Sequence, residues 1–284
     1  MSALLIRTIA ELRGWLSERR LAGQNVGLVP TMGALHAGHG SLMDHAHREN
    51  ACLVTSIFVN PIQFNQAADF VRYPRTLDTD LEFCRARGVD AVFAPPATEM
   101  YPSPQQAFVE VARVADKLEG EFRPGHFRGV ATVVLKLFHI VQPDRAYFGE
   151  KDAQQLAVIR RMVADLNLPV EIVAVPTLRE TDGLAMSSRN RLLSPPERRV
   201  APVLYEALRA AGEAVAAGVT DAAEVRRRAL AVLAREPGMR VEYLEVADPD
   251  GMQPVGLIAG PALVVAAVWL GNTRLIDNLL CRPL

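Results

Sequence analysis

Apolar residues recur at two spacings along the chain up to residue 190. At helical spacing they predict amphipathic helices over residues 9–22, 41–50, 77–87, 130–141 and 154–166. Short continuous apolar runs predict buried strands over residues 26–29, 53–59, 91–94, 146–148 and 170–175. Strands that alternate with helices are typical of a parallel sheet covered by helices. We therefore predict an α/β fold for this part of the chain.

Polar segments follow four of these strands. They cover residues 31–39, 60–64, 149–152 and 177–190, and the first begins after Pro30, which fits a strand end better than a strand interior. Parallel sheets bind ligands in the crevice at the carboxyl ends of their strands. We therefore expect the four polar segments, distant in sequence, to converge on one crevice.

The pattern changes after residue 190. Pro195 and Pro196 open a predicted helix that continues through Val200 and Leu208, and residues 222–236 form a second helix. Predicted strands follow over residues 241–246, 262–270 and 274–280. We predict two domains: an α/β domain over residues 1–190 and a smaller α+β domain over residues 191–284.

Composition excludes several classes of protein. Half of the 284 residues are hydrophobic, 22% are charged and the net charge is −1, which argues against a general nucleic-acid binder. The apolar run over residues 262–270 is shorter than the roughly 20 residues of a membrane span. Residues 1–15 have no cleavable signal pattern, and the distant Cys52, Cys84 and Cys281 favour a reducing compartment. We expect a cytoplasmic enzyme.

The sequence His36-Ala37-Gly38-His39 lies between a predicted strand and a predicted helix. Gly38 lets the backbone approach a phosphate closely, and the following helix offers free N–H groups to an anion. The two imidazoles can donate hydrogen bonds to phosphate oxygens. A capped turn with two surface histidines and a metal-binding pair are the alternatives.

Two later segments carry charge that suits a nucleotide. Lys151 can neutralise phosphate charge and Asp152 can hold a ribose hydroxyl or a Mg²⁺-bound water, although an ordinary charged helix start would look the same. Residues 186–190, Met-Ser-Ser-Arg-Asn, include an arginine suited to triphosphate oxygens. An early HxGH with a late Ser-Ser-Arg loop is the paired signature of adenylating enzymes on nucleotide-binding α/β folds.

Amides and further positive charge complete the candidate chemistry. Asn60 and Gln63 stand at the end of a strand and can bind the hydroxyls and carboxylate of a small acid, while Asn60-Pro61 is also a good turn. Residues 123–129 add cations before a helix, although a solvated loop is the expected state of Arg123.

Together these segments resemble the pantothenate synthetase (pantoate–β-alanine ligase) family. The matching motifs occur in order at residues 30–39, 58–64, 73–76, 123–129, 148–155 and 182–190, and more loosely at 269–271 and 274–278. The resemblance implies a Rossmann-like nucleotide-binding domain of the HxGH adenylating type. It implies that pantoate and ATP form pantoyl adenylate and pyrophosphate, after which β-alanine displaces AMP and gives pantothenate.

The resemblance also assigns roles by position. His39 would be the proton donor or a charge stabiliser, and His36, Lys151 and Arg189 would stabilise phosphate charge. The substrate-binding residues would be Gln63 and Gln155, which hold pantoate, and Asn60. The implied ATP-binding residues are Met32, Gly33, Ala34, Leu35, His36, Ala37, Gly38, His39, Gly149, Glu150, Lys151, Asp152, Leu178, Met186, Ser187, Ser188 and Arg189.

Cofactor and assembly are likewise implied by resemblance alone. Mg²⁺ would bind mainly through the phosphates of ATP and leave few protein ligands, and the chain would form a homodimer. Two alternatives stay open on the residues themselves. A nucleotidyltransferase on the same fold would keep the adenylate as product, and a regulatory module would bind nucleotide without chemistry.

Overall fold

The computed structural model describes residues 3–65 and 67–283. The chain divides into two compact units. The first contains the chain up to Ala112, Glu119–Glu150 and Val158–Pro176, and the second contains Arg113–Leu118, Lys151–Ala157 and the chain from Thr177 onwards. Each unit has its own sheet and its own hydrophobic core. The structure confirms the predicted fold class, a parallel α/β sheet with a smaller α+β part.

The first unit is built on a six-stranded sheet in the order β1-β4-β3-β2-β5-β6, with every pairing parallel. Its strands are β1 Leu4–Ile6, β2 Val26–Thr31, β3 Cys52–Ile57, β4 Ala91–Phe93, β5 Arg145–Gly149 and β6 Glu171–Val175. The central strands are buried on both faces, which explains why they appear in the sequence as continuous apolar runs.

Helices connect these strands and cover the sheet. They are α1 Ile9–Leu21, α2 Ala37–Glu49, α3 Ala67–Arg72, α4 Leu77–Arg85, α5 Ala97–Met100, α6 Glu119–Phe122, α7 His126–Val141 and α8 Ala153–Asp165. Helix α1 shows how local sequence sets a boundary: Thr8 and Glu11 form a capping box at its start, and Leu12 and Leu16 are its buried face.

Several predicted boundaries in the first unit were wrong, among them the end of strand β3, which is Ile57 rather than 59. Strand β2 continues through Pro30 to Thr31, because only β3 pairs with it there, while β5 pairs with Gly27 and Leu28. A missing N–H is tolerated where one side of a strand has no partner. Helix α2 begins at Ala37 rather than 41, and α7 begins at His126 rather than 130, so both predicted loops are shorter than expected.

The second unit carries an antiparallel sheet in the order β7-β8-β9. Its strands are β7 Met239–Ala247, β8 Ala262–Leu270 and β9 Thr273–Cys281, and its helices are α9 Pro195–Val200, α10 Val203–Ala216 and α11 Ala222–Leu233. The single helix predicted from residue 195 is therefore two helices. The break falls at Pro202, which has no N–H to donate within a helix.

The apolar run over residues 262–270 is the central strand β8, as predicted from its length. Among residues 3–65 and 67–283, no helix is long and apolar enough to cross a membrane.

Candidate active site

The segment after β2 turns back on itself through left-handed backbone. Gly33 has φ +81° and Ala34 has φ +52°. The Gly33 N–H donates to Thr31 Oγ1 at 3.1 Å, and that hydroxyl donates to the Ser56 carbonyl at 2.7 Å. A Cβ on Gly33 would lie 3.0 Å from Ile57 Cγ2, so both the backbone angle and the space favour glycine.

A buried carboxylate binds the backbone N–H groups of the same turn. Asp80 of α4 is only 2% exposed. Its Oδ2 accepts the Ala34 N–H at 3.0 Å and its Oδ1 accepts the Leu35 N–H at 2.8 Å. Thr76 Oγ1 also donates to Oδ2, at 3.1 Å. Asp80 was not among the predicted site residues; the available signal was an acidic residue on the same buried helix face as Leu81 and Cys84.

His36 and His39 cap the start of α2. The Gly38 N–H donates to His36 Nδ1 at 3.1 Å, and the His36 N–H donates to His39 Nδ1 at 3.3 Å. The ring centroids are 4.1 Å apart. An Nδ1 that accepts a backbone N–H leaves the proton of a neutral imidazole on Nε2. The capped turn, one of our alternatives, is therefore present, and it makes both Nε2 atoms hydrogen-bond donors.

The segment after β3 meets the segment after β2. Gln63 ends a 3-10 helix, Pro61–Gln63, and its Nε2 donates to Met32 Sδ at 3.0 Å. Asn60, only 1% exposed, donates from Nδ2 to Gln63 Oε1 at 3.0 Å and to the Gly129 carbonyl at 3.1 Å. Tyr101 donates its hydroxyl to Asn60 Oδ1 at 2.8 Å, and burial raises the pKa of this phenol. The Asn60 amide is thus engaged in orienting Gln63.

The start of α7 supports the backbone of Gln63. His126 Nδ1 donates to the Gln63 carbonyl at 2.9 Å, since Arg123 Nη1 donates to His126 Nε2 at 3.3 Å and fixes that tautomer. Arg123 also lies 3.7 Å from the carboxylate of the buried Glu119. The expectation of a solvated Arg123 was wrong, because a buried carboxylate on the preceding helical turn draws the guanidinium inward.

In the second unit, Lys151 lies in a 3-10 turn, Glu150–Asp152, that follows the end of β5. Its Nζ is 3.7 Å from Asp152 Oδ1, and its backbone carbonyl accepts the Asn278 Nδ2 donor at 2.9 Å. Gln155, predicted to hold pantoate, is half-buried. The adjacent Gln154 donates to two backbone carbonyls, those of Val114 and Lys117, each at 2.8 Å.

The late polar loop is the end of a short hairpin. Arg179 and Ala185 form an antiparallel bridge, and the Met186 N–H donates to the Leu178 carbonyl at 3.0 Å. Leu178 and Met186, both predicted ATP-binding residues, therefore lie opposite each other. Ser187 then caps the 3-10 helix Ser188–Leu192 by accepting the Arg189 N–H at 3.3 Å. The structure thus brings the late predicted residues together in one hairpin.

Charged side chains hold this hairpin. Arg179 forms a two-point ion pair with Asp277 of β9, at 2.6 Å and 3.0 Å, and its guanidinium stacks 3.7 Å above the Tyr205 ring. Burial raises the pKa of Asp277, while Arg179 opposes that rise. Arg198 pairs with Glu180 and Asp182 at the hairpin tip, each at 2.6 Å. The segment at 274–278, which contains Asp277, matched the family only loosely and had no predicted role.

Comparison with known proteins identifies the family. The model of the family described as "Pantoate-beta-alanine ligase" matches residues 4–280. The chain belongs to the pantoate–β-alanine ligase family. It is therefore a ligase that forms an amide bond between pantoate and β-alanine, as the sequence motifs predicted. Pantothenate biosynthesis is the corresponding process.

Relatives match along nearly the whole chain. A pantothenate synthetase of Moorella thermoacetica is 52% identical, covering 96% of this chain and 97% of the relative. One from Roseiflexus sp. is 54% identical, covering 96% and 98%.

Solved structures of the family have the same fold. The pantothenate synthetase of Thermus thermophilus has a TM-score of 0.93 at 48% identity, covering 99% of this chain and 100% of that one. A ligase from Francisella tularensis, complexed with β-γ ATP and β-alanine, has a TM-score of 0.82 at 34% identity and covers 98% and 97%.

Proposed function

We propose that the protein condenses pantoate with β-alanine in two steps and uses ATP to activate the carboxylate. The pantoate carboxylate attacks the α-phosphate of ATP, which forms pantoyl adenylate and releases pyrophosphate. The β-alanine amine then attacks the acyl carbon, and AMP leaves as the amide forms. The observation that carries the proposal is the tautomer-fixed His36–His39 pair at the start of α2, within the pantoate–β-alanine ligase motif.

Residues 32–39 bind ATP in this proposal. The Nε2–H of His36 and that of His39 donate to phosphate oxygens at the positive end of α2. Their Nδ1 contacts with backbone N–H groups favour a fixed, neutral donor over a group that must exchange protons. We therefore assign His39 chiefly the role of a charge stabiliser, whose value is greatest where negative charge develops in the transition state.

In this proposal Gln63 binds pantoate, and Asn60 positions the side chain of Gln63. The contacts of Asn60 with Gln63 Oε1, the Gly129 carbonyl and Tyr101 engage its amide, so a role through Gln63 fits better than direct contact with substrate. Gln155 is the second pantoate residue in this proposal, and its half-buried side chain is compatible with that role.

In the second unit, cationic and hydroxyl groups bind ATP. Lys151, Ser187, Ser188 and Arg189 neutralise phosphate charge, and Leu178 with Met186 provides an apolar contact for the nucleotide. Gly149 and Glu150 of the first unit and Asp152 of the second complete the predicted set. Direct support for these roles comes from the hairpin geometry, which holds Leu178 opposite Met186 and leads into the capped Ser187.

Mg²⁺ accompanies ATP in the proposed reaction and neutralises charge on the phosphates. Within residues 3–65 and 67–283 there is no group of three or more His, Cys, Asp or Glu residues that could hold a metal ion. In this proposal the triphosphate supplies most of the ligands of the magnesium ion, and Asp152 is a neighbouring carboxylate. We further propose a cytoplasmic homodimer with domains over residues 1–190 and 191–284.

Product analysis tests the reaction. Purified protein with ATP and Mg²⁺ should form AMP, pyrophosphate and pantothenate only when pantoate and β-alanine are both supplied. Sustained turnover to pyrophosphate without β-alanine, with free adenylate accumulating, would indicate a nucleotidyltransferase. ATP binding by calorimetry without any turnover would indicate a regulatory module.

A further inference from the structure

We propose that Asp277 and Asn278 of β9 are positioning residues for ATP, acting through Lys151 and through the hairpin that ends in Ser187–Arg189. This inference rests on the proposed function, which makes Lys151 and the hairpin ATP-binding. All the contacts that carry it lie within the second unit.

Asn278 fixes the backbone of Lys151. Its Nδ2 donates to the Lys151 carbonyl at 2.9 Å, across a sequence separation of 127 residues. A lysine side chain is long and flexible, so the direction from which its ammonium group approaches a phosphate depends on where its backbone is held. The Lys151 side chain is itself only 18% exposed, which limits the routes it can take from that backbone.

Asp277 fixes the base of the hairpin. Its carboxylate accepts both Nη groups of Arg179 and also the Asn278 N–H, at 2.8 Å. Arg179 in turn donates to the Gly183 carbonyl at 3.1 Å and to the Asn278 carbonyl at 3.3 Å. One guanidinium therefore ties the hairpin to the same two residues of β9, of which Asn278 also holds Lys151.

Through these two contacts, strand β9 positions both proposed sets of phosphate-binding groups, Lys151 and the end of the hairpin. Small misplacements of charged groups weaken binding steeply, because hydrogen bonds to charged oxygens depend on both distance and angle. The same contacts explain why a buried carboxylate is present on an edge strand: Asp277 is only 4% exposed and its charge is matched by Arg179.

The test removes the Asn278 side chain and leaves the Asp277 ion pair in place. Asn278→Ala should raise the KM and the calorimetric Kd for ATP about tenfold, the effect of one well-placed hydrogen bond. The KM values for pantoate and β-alanine should stay unchanged, and Tm should stay within about 2 °C. Asn278→Leu, which keeps the branched shape of the side chain but has no donor and no charge, should give the same shift and serves if the alanine variant fails to fold.

Gln253→Ala is the matched control. Gln253 is also half-buried in the second unit and donates its Nε2 to a backbone carbonyl, that of Arg113, at 2.7 Å. This variant loses a bond of the same kind and should bind ATP like the wild type. A similar loss of ATP affinity in Gln253→Ala would overturn the proposal, since the effect would then be general to the unit.

A second background shows whether Asn278 acts through Lys151. In Lys151→Ala the further change Asn278→Ala should hardly alter the Kd for ATP, because the group being positioned is already gone. Full additivity, or a lower kcat with an unchanged KM for ATP, would overturn the positioning role. Calorimetry measures ATP binding without turnover, so it separates this inference from the proposed reaction. If the wild type were inactive but Asn278→Ala still weakened ATP binding, the ligase reaction would be refuted and the positioning role would stand.

Discussion

The HxGH turn and the late hairpin are held by different kinds of contact. In the first unit, buried Asp80 and Thr31 bind backbone N–H groups of the turn directly. In the second unit, ion pairs link the hairpin to its neighbours: Arg179 of the hairpin to Asp277 of β9, and Asp182 of the hairpin to Arg198 of α9. Backbone contacts to a buried side chain fix a main-chain shape, whereas the partly exposed Arg198–Asp182 pair depends on solvent, salt and pH. We therefore expect the two regions to respond differently to mutation and to acid.

The largest expected effect is the loss of the His39 donor. His39→Ala should lower the rate of pantoate-dependent pyrophosphate release about 10²–10³-fold, the usual cost of one donor aimed at developing charge. The free energy of unfolding should fall by only about 1 kcal/mol, the usual cost of a lost helix cap, because His39 Nδ1 accepts the His36 N–H at the start of α2. His45→Ala is the control, because His45 is a half-buried histidine on the same helix whose Nδ1 contacts the Ser41 carbonyl. Wild-type rates in His39→Ala would place the site elsewhere.

The next effect falls on the turn through Asp80. Asp80→Ala leaves the Ala34 and Leu35 N–H groups without their carboxylate, at a cost of about 3 kcal/mol in the free energy of unfolding. The turn should also lose its shape, so the KM for ATP should rise about tenfold or more at temperatures where the variant is folded. Urea unfolding measures the loss of stability, and steady-state kinetics measures the KM for ATP.

A smaller substitution separates the two consequences of losing Asp80. Asp80→Asn keeps one oxygen acceptor and should fall between wild type and Asp80→Ala in both measurements. A fully stable Asp80→Ala with normal ATP kinetics would show that the turn does not need its buried carboxylate, and the contrast with the hairpin would fail.

The smallest effect concerns acid and the hairpin tip. The hydrogen bond from Arg198 lowers the pKa of Asp182 below its ordinary value of 3.8. A carboxyl whose pKa is lowered by folding stabilises the folded state above its ordinary pKa, and this contribution disappears as pH falls through the lowered value. When the pH is lowered below 3.8, the free energy of unfolding should therefore fall less in Arg198→Gln than in the wild type. The two decreases should differ by about 0.5 kcal/mol, a small value because the pair is partly exposed.

Thermal melts of the wild type and Arg198→Gln, from pH 6 down to well below the ordinary pKa of Asp182, check this prediction. Because the two proteins have the same carboxylates, the difference between the two curves isolates the effect of the Arg198 ion pairs. Parallel curves over the whole range would mean that Arg198 does not lower the pKa of Asp182 in the folded protein.

Boundaries set by local chemistry could be predicted, and boundaries set by distant partners could not. The starts of α1 and of β8 follow from a capping box and from an apolar run between Pro261 and Gly271. The end of β2 depends on which neighbouring strands still pair at Pro30, which no local pattern records. The early start of α2 depends on imidazole nitrogens acting as caps, a role that short polar side chains usually fill.

The sequence by itself determined the alternation of helices and strands, the HxGH and Ser-Ser-Arg segments, and through them the ligase family. These features are local, because periodicity, turn residues and short motifs involve residues that are close together in the sequence. Only the tertiary structure decided which side chains hold the motifs in place. Asp80 reaches Ala34 across 46 positions and Asn278 reaches Lys151 across 127, and hydrogen bonds between such distant residues exist only once the chain has folded.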